Sequence, residues 1–159
     1  MGIFDRFMAH RHDDPRLGSL VRGWGCWRGQ IALGDDRPEP LVLAGWGAAP
    51  DPVRLRLAHE LVSRYEVLRP AIARGLFEHY APYAEAVAAG EEPGHADVLR
   101  LAGPDDVWTH VSAVRVLIER MAGHETVEIA YRATWDEEHT LGVRFRSWAL
   151  VEVNGSVRA

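Results

Sequence analysis

The feature that most constrains this chain is the dipeptide Asp51-Pro52, which separates two kinds of hydrophobic pattern. An aspartate can cap free backbone N–H groups, and a proline that follows it has the φ of a first helical turn. Downstream, Val53, Leu57, Leu61, Tyr65 and Leu68 recur every three or four residues, with Arg54, Arg56, Glu60, Arg64 and Glu66 between them. That period gathers the apolar side chains on one helical face. Pro70 is expected to end this helix and open a second, because an interior proline removes a hydrogen bond and clashes with the preceding turn. The second helix carries Ile72, Leu76, Phe77, Tyr80 and Tyr83 on one face, kinks or splits at Pro82, and stops at Gly90.

Strand patterns flank this helical block. Residues 17–22, 24–33 and 41–46 are short apolar runs, punctuated by Gly23 and by Gly34-Asp35-Asp36-Arg37-Pro38. After a polar connection over 91–104, three more runs follow at 107–120, 126–135 and 141–153. Val127, Ile129, Tyr131 and Ala133 face one way, with Glu128 and Arg132 facing the other. Leu141, Val143 and Phe145 alternate with Arg144 and Arg146 in the same manner. Asn154-Gly155 reads as a turn before a short closing strand or tail. The expected fold class is α+β, with antiparallel sheet in β3-α2-β3 order and two central helices packed on it. Residues 1–159 read as a single domain: an amphipathic lead-in (1–16), strands (17–47), helices (51–90) and strands (107–153). Leu57, Leu61, Phe77, Ile129, Tyr131 and Phe145 are expected in its core.

Composition narrows the chemistry. Hydrophobic residues make up 47% and include six Trp, enough for a core that needs no covalent staple. Cys26 is the only cysteine, so an internal disulfide and a cysteine zinc site are both excluded. Between Trp24 and Trp27 it reads as a small core residue. All 18 basic residues are Arg, which rules out a Schiff-base lysine and a phosphate-loop lysine. The net charge of -5 argues against nucleic acid and suits a basic protein partner. No apolar run approaches the roughly 18–20 residues that cross a bilayer. Asp5 and Arg6 interrupt the apolar start of Ile3, Phe4, Phe7 and Met8, so the expectation is a cytoplasmic protein without membrane contact.

Two clusters carry chemistry-bearing side chains. His10-Arg11-His12-Asp13-Asp14 resembles the His-x-His-x-Asp part of the binuclear metallo-β-lactamase motif, but Pro15 stands where that motif has His. It reads as a polar lead-in. The second is Trp135-Asp136-Glu137-Glu138-His139-Thr140-Leu141-Gly142, a hairpin between two strands, where Asp136 is expected to bond backbone groups of its own turn. It resembles the Trp-Asp-x-Glu-His-x-Leu-Gly hairpin of uncharacterised bacterial domain-of-unknown-function families, which also share the early Trp27-Arg28-Gly29 strand. Some of those families resemble immunity proteins encoded beside toxins, and the resemblance implies a binding role without catalytic residues.

Strand parity places Arg144, Arg146 and Trp148 on one outward, solvent-facing, mixed-charge surface with Glu128 and Arg132, the alternative for Trp148 being that a helix or the lead-in covers it within the chain. The functional expectation is therefore a non-enzymatic protein-binding or interaction module, possible as a homodimer and without cofactor or metal. Its candidate binding residues are Arg144, Arg146, Trp148, Asp136, Glu138 and His139. The alternative is a small metal-dependent hydrolase with ligands from Asp136, Glu138 and His139.

Overall fold

In the computed structural model, which describes residues 10–34, 37–91 and 101–156, the helix starts at Asp51-Pro52 as expected but does not stop at Pro70. One helix, α1 (Pro52–Ala88, 37 residues), runs through both Pro70 and Pro82. Asp51 caps it, accepting from the N–H groups of Val53 and Arg54 at 2.9 and 3.2 Å. Both prolines are exposed, so the carbonyls of Glu66 and Glu78, deprived of their helical partners, are left on the solvent side. On the inner side Leu68, Ile72, Ala73 and Leu76 are buried before and after Pro70. Burying one Leu or Ile contributes about 1.5–3 kcal/mol. A few such contacts outweigh the roughly 3 kcal/mol that an interior proline costs.

Among the described residues eight strands form one sheet: β1 (Arg11–Asp14), β2 (Gly18–Gly23), β3 (Cys26–Ile31), β4 (Glu39–Ala44), β5 (Val111–Met121), β6 (His124–Ala133), β7 (Asp136–Arg146) and β8 (Ala149–Gly155). Their order in the sheet is their order in the chain. Every neighbouring pair is antiparallel except β4 and β5, which run parallel and are joined through α1. The sheet is therefore mixed. The β3-α2-β3 expectation, with two central helices, is overturned by four strands on either side of a single long helix. A short 3-10 helix (Pro104–Thr109) takes the place of the first residues assigned to strand at 107–120.

Two strands escaped the pattern for separable reasons. β1 is Arg-His-Asp-Asp, has no apolar alternation, and lies inside what reads as a polar lead-in; the rest of that lead-in, through residue 9, is outside the described residues. The run 141–153 is two strands, folded back at Ser147 and Trp148 with φ of 47° and 63°. Two consecutive left-handed residues are what a tight mirror-image hairpin turn requires, but here neither is Gly or Asn, so the turn leaves no compositional trace. Asn154-Gly155, which resembles a turn, continues β8.

The core lies between α1 and one face of the sheet. Ala58, Leu61, Tyr65, Ile72, Leu76 and Tyr80 meet Leu20, Trp27, Leu41, Leu43, Ile118, Ile129, Val143 and Phe145. Leu57 and Phe77, expected inside, sit at the margin of this cluster. Cys26 is buried and unbridged. The Tyr65 and Tyr131 hydroxyls share a hydrogen bond of 3.2 Å from helix to β6. α1 approaches β8 closely at Gly75, where a Cβ would stand 2.8 Å from Val153 Cγ2 and push that side chain away.

Asp14 ties the far edge of the sheet to the helix. Its Oδ1 accepts from the backbone N–H groups of Arg16 and Leu17 at 2.9 Å, and both oxygens lie 2.9 Å from His59 Nε2 on α1. Burial pushes the Asp14 carboxyl up, but the Leu17 and Arg16 N–H groups and then His59 outweigh it and hold the carboxyl below its usual range. Among the described residues no helix is long and apolar enough to cross a membrane.

Two stability measurements test this account. Leu61 is fully buried, so Leu61→Ala should lose about 2–5 kcal/mol in urea unfolding; a loss under about half a kcal/mol would contradict its place in the core. A depressed folded-state pKa stabilises above the unfolded value, and that gain disappears as pH falls through the folded value. The stability gap between wild type and Asp14→Asn should thus hold at neutral pH and shrink below about pH 4.

Candidate functional site

The β6–β7 hairpin turns at Thr134 and Trp135, and Asp136 already belongs to β7. Trp135 is buried, stacks edge-on against Tyr80 at 5.4 Å between centroids, and donates from its indole N–H to His79 Nδ1 at 3.4 Å. This clasps the hairpin to α1. The ladder jumps from Ala133↔Asp136 to Arg132↔Thr140, so Glu137, Glu138 and His139 bulge out on the one strand. Asp136 Oδ1 accepts from the His139 backbone N–H at 3.2 Å, the turn-type bond expected of it, and meets His139 Nδ1 at 2.7 Å. The Asp136 carboxylate raises the His139 pKa above its ordinary 6.5. Asp136 and His139 are thus brought together, while Glu138 is exposed beside them. Among the described residues no three His, Cys, Asp or Glu side chains are grouped to hold a metal.

The outward surface expected of Arg144, Arg146 and Trp148 is corrected by their surroundings. Arg144 does point away from α1, as strand parity requires, but it is only 5% exposed. Glu128 stands directly across from it on β6 and Glu152 across from it on β8. Arg144 donates to both carboxylates, at 2.8 and 2.5 Å, and to the Gly155 carbonyl. Ser156 Oγ donates to Glu128 at 2.6 Å and accepts from Arg115 at 2.8 Å, so Ser156 closes over the pair. Gly142 leaves the space that Glu128 fills, since a Cβ there would lie 2.6 Å from its carboxylate oxygen. Arg144 holds the Glu152 carboxyl below its usual range. Arg146 is half-buried, with its Nε enclosed. Trp148 belongs to the turn, where strand parity does not apply. Its indole N–H donates to Glu60 at 2.7 Å and the Arg64 guanidinium lies 5.4 Å from the ring centre, so α1 covers it.

The exposed aromatic surface lies elsewhere, at the carboxyl ends of the parallel pair. Trp24, in the β2–β3 turn, is 86% exposed, and Trp46, just past β4, is 64% exposed. Their rings meet edge to face at 4.9 Å. The backbone beneath them is pinned: Arg22 donates to the Trp46 carbonyl at 3.0 Å, and Arg54 donates to the Ala44 carbonyl and pairs with Glu125 at 2.9 Å. A recess of about 450 Å³ opens beside the rings, walled by Arg54, Glu119 and Arg120. Sequence patterning absorbed both tryptophans into strands, yet a signal was present. Each is the centre of a Gly-Trp-Gly triplet, at 23–25 and 45–47, and glycine on both sides marks a turn rather than a strand interior.

With this geometry in view, the pattern of a domain of unknown function, DUF6985, matches residues 17–157. The chain belongs to the DUF6985 family. The match takes in β2 to β8, α1, the β6–β7 hairpin and the two Gly-Trp-Gly triplets, and leaves β1 outside. No curated protein and no solved structure matches the chain.

The Asp136–His139 pair gives a direct check on the hairpin. His139 should titrate above 6.5 when followed by NMR, and Asp136→Asn should return it toward that value. An imidazole pKa unchanged by that substitution would show that the pair does not form in solution.

Proposed function

We propose that this chain is a non-enzymatic protein-binding module whose contact surface is centred on Trp24 and Trp46. One observation carries the reading: two large indoles project into solvent, packed edge to face on each other, and Arg22 and Arg54 hold the backbone at Trp46 and Ala44. Water-exposed apolar area of this kind is costly, and a rigid aromatic pair loses little entropy when a partner covers it. Tryptophan anchors of this sort commonly supply about 2 kcal/mol or more of binding energy each.

The net charge of -5 supports a basic partner, and the resemblance to immunity-type families supports a toxin-like one. Of the residues singled out from sequence, Glu138 and His139 are exposed and available for polar contacts at the other end of the sheet. Arg144 and Trp148 are committed within the chain.

Affinity capture followed by native mass spectrometry tests the proposal with Trp24→Ala/Trp46→Ala. The double variant should keep its unfolding midpoint within a few degrees, as exposed substitutions do. It should lose a stoichiometric partner that the wild type retains; if that partner is a second copy, a concentration-dependent dimer should disappear instead. Retention with unchanged affinity would refute the assignment of this surface.

A further inference from the structure

β4 and β5 pair at three positions only, Leu41–Leu43 with Val116–Ile118. At the starts of the two strands, where no ladder joins them, a cavity of about 380 Å³ opens among Arg37, Glu39, Tyr65, Arg69, Trp108 and Tyr131. That is the size of a small-molecule site, for which roughly 300–1,000 Å³ is usual. It lies at the opposite end of the parallel pair from the two exposed tryptophans, and nothing about it depends on them.

The buried charge in its wall is negative. The Glu39 side chain is 9% exposed and its Oε1 accepts from Arg37 Nε at 3.1 Å, while Oε2 has no hydrogen-bond partner among the described residues. Arg37 itself is 79% exposed, so it covers the carboxylate from outside through one bond. Aromatic rings make up much of the remaining wall. Trp108 and Tyr131 stand edge to face at 6.4 Å, and Tyr65 shares its hydroxyl bond with Tyr131. The face of Trp108 already carries a guanidinium, with Arg69 Cζ 4.5 Å from the ring centre. A buried carboxylate among electron-rich rings favours a planar organic cation. The chain's own side chains show the preference twice, Arg37 on the acid and Arg69 on the ring.

We propose that this cavity binds a guanidinium-bearing ligand, which displaces Arg37 from Glu39 and rests against the aromatic wall. Oε2, unpartnered among the described residues, gives the incoming fork a second acceptor, so a two-point contact replaces the single bond from Arg37. Arg37 is solvent-exposed and Arg69 partly so, while Glu39 is buried, which makes an anion the less favoured occupant.

Calorimetric titration with argininamide, and in parallel with a short peptide containing one arginine, tests this. Saturable binding of both probes identifies a free small ligand as sufficient; binding of the peptide alone identifies an arginine of a partner chain. In either case Glu39→Gln should weaken binding at least about tenfold. Arg37→Ala should preserve or strengthen it, because the competitor is gone and Glu39 remains. That variant also keeps the test decisive if Glu39→Gln folds poorly. Two results would overturn the proposal: no saturable binding to wild type and to Arg37→Ala, or binding of acetate or phosphate that Arg37→Ala abolishes.

Discussion

The parallel pairing of β4 and β5 is the constraint on which the rest of this structure depends. Seven strand pairs could be made from tight turns alone if all were antiparallel. One parallel pair forbids a hairpin at that point and requires the chain to travel back along the sheet before β5 begins. The return is α1, and its passage supplies the apolar layer that the sheet lacks. This explains why two prolines are tolerated within one helix. Ending the helix at Pro70 would leave Ile72, Ala73 and Leu76 without a rigid path across the sheet, whereas keeping it leaves only solvent-side carbonyls unpaired. The same pair, joined over three positions, leaves room at both of its ends. One end holds the Trp24–Trp46 surface and the other the Glu39 cavity.

The face of the sheet away from α1 is held differently. Glu128 and Arg144 face each other across β6 and β7, with Glu152, Arg115 and Ser156 completing the group. A buried ion pair of this kind adds little net stability, because desolvation cancels most of the attraction, yet removing one partner strands a charge and costs about 3–5 kcal/mol. Its effect here is on register. A slip of one residue in β7 would turn Arg144 into the apolar layer and Val143 out of it. The ladder is irregular at Ala113–Arg115 of β5, at 137–139 of β7 and, against β8, between Arg144 and Phe145, yet Glu128↔Arg144 and Arg144↔Glu152 stay directly paired. Gly142, small enough for Glu128 to lie over it, belongs to the same arrangement.

Much of the sheet was legible in the sequence because its inner face alternates. Leu41, Leu43, Val127, Ile129, Tyr131, Val143 and Phe145 reach the core as their parity implies. The helix start was legible through Asp51-Pro52. Three things were not. β1 is held by Asp14 and its contacts with a turn and with His59, and such long-range bonds leave no local pattern. The Ser147-Trp148 turn uses left-handed backbone without glycine. The single helix through Pro70 is a tertiary outcome that overrides local propensity. At the candidate site, parity told which way Arg144 points but not that Glu128, Glu152 and Gly155 would enclose it. Burial on the second face of a sheet depends on partners that alternation cannot reveal.

The fate of the polar clusters bears on function. Asp14, which resembles a metal ligand in sequence, is fully engaged by two N–H groups and His59. Asp136 is engaged by His139, His79 by Trp135, and His110 by Thr134 at 3.1 Å. Each of these side chains has an intrachain bond that closes a turn, clasps a hairpin or joins an edge strand to the helix, so its presence in the sequence needs no reaction to explain it. Trp24 and Trp46 present the opposite case. Arg22 and Arg54 pin the backbone at Trp46 and Ala44, but the two rings cover chiefly each other, and the core closes without them. A side chain that a fold uses is weak support for a binding role, and one that the fold supports but does not use is stronger. By that criterion the proposed recognition surface belongs to the turns at the end of the parallel pair, where two glycine-flanked tryptophans stand clear of the structure that carries them.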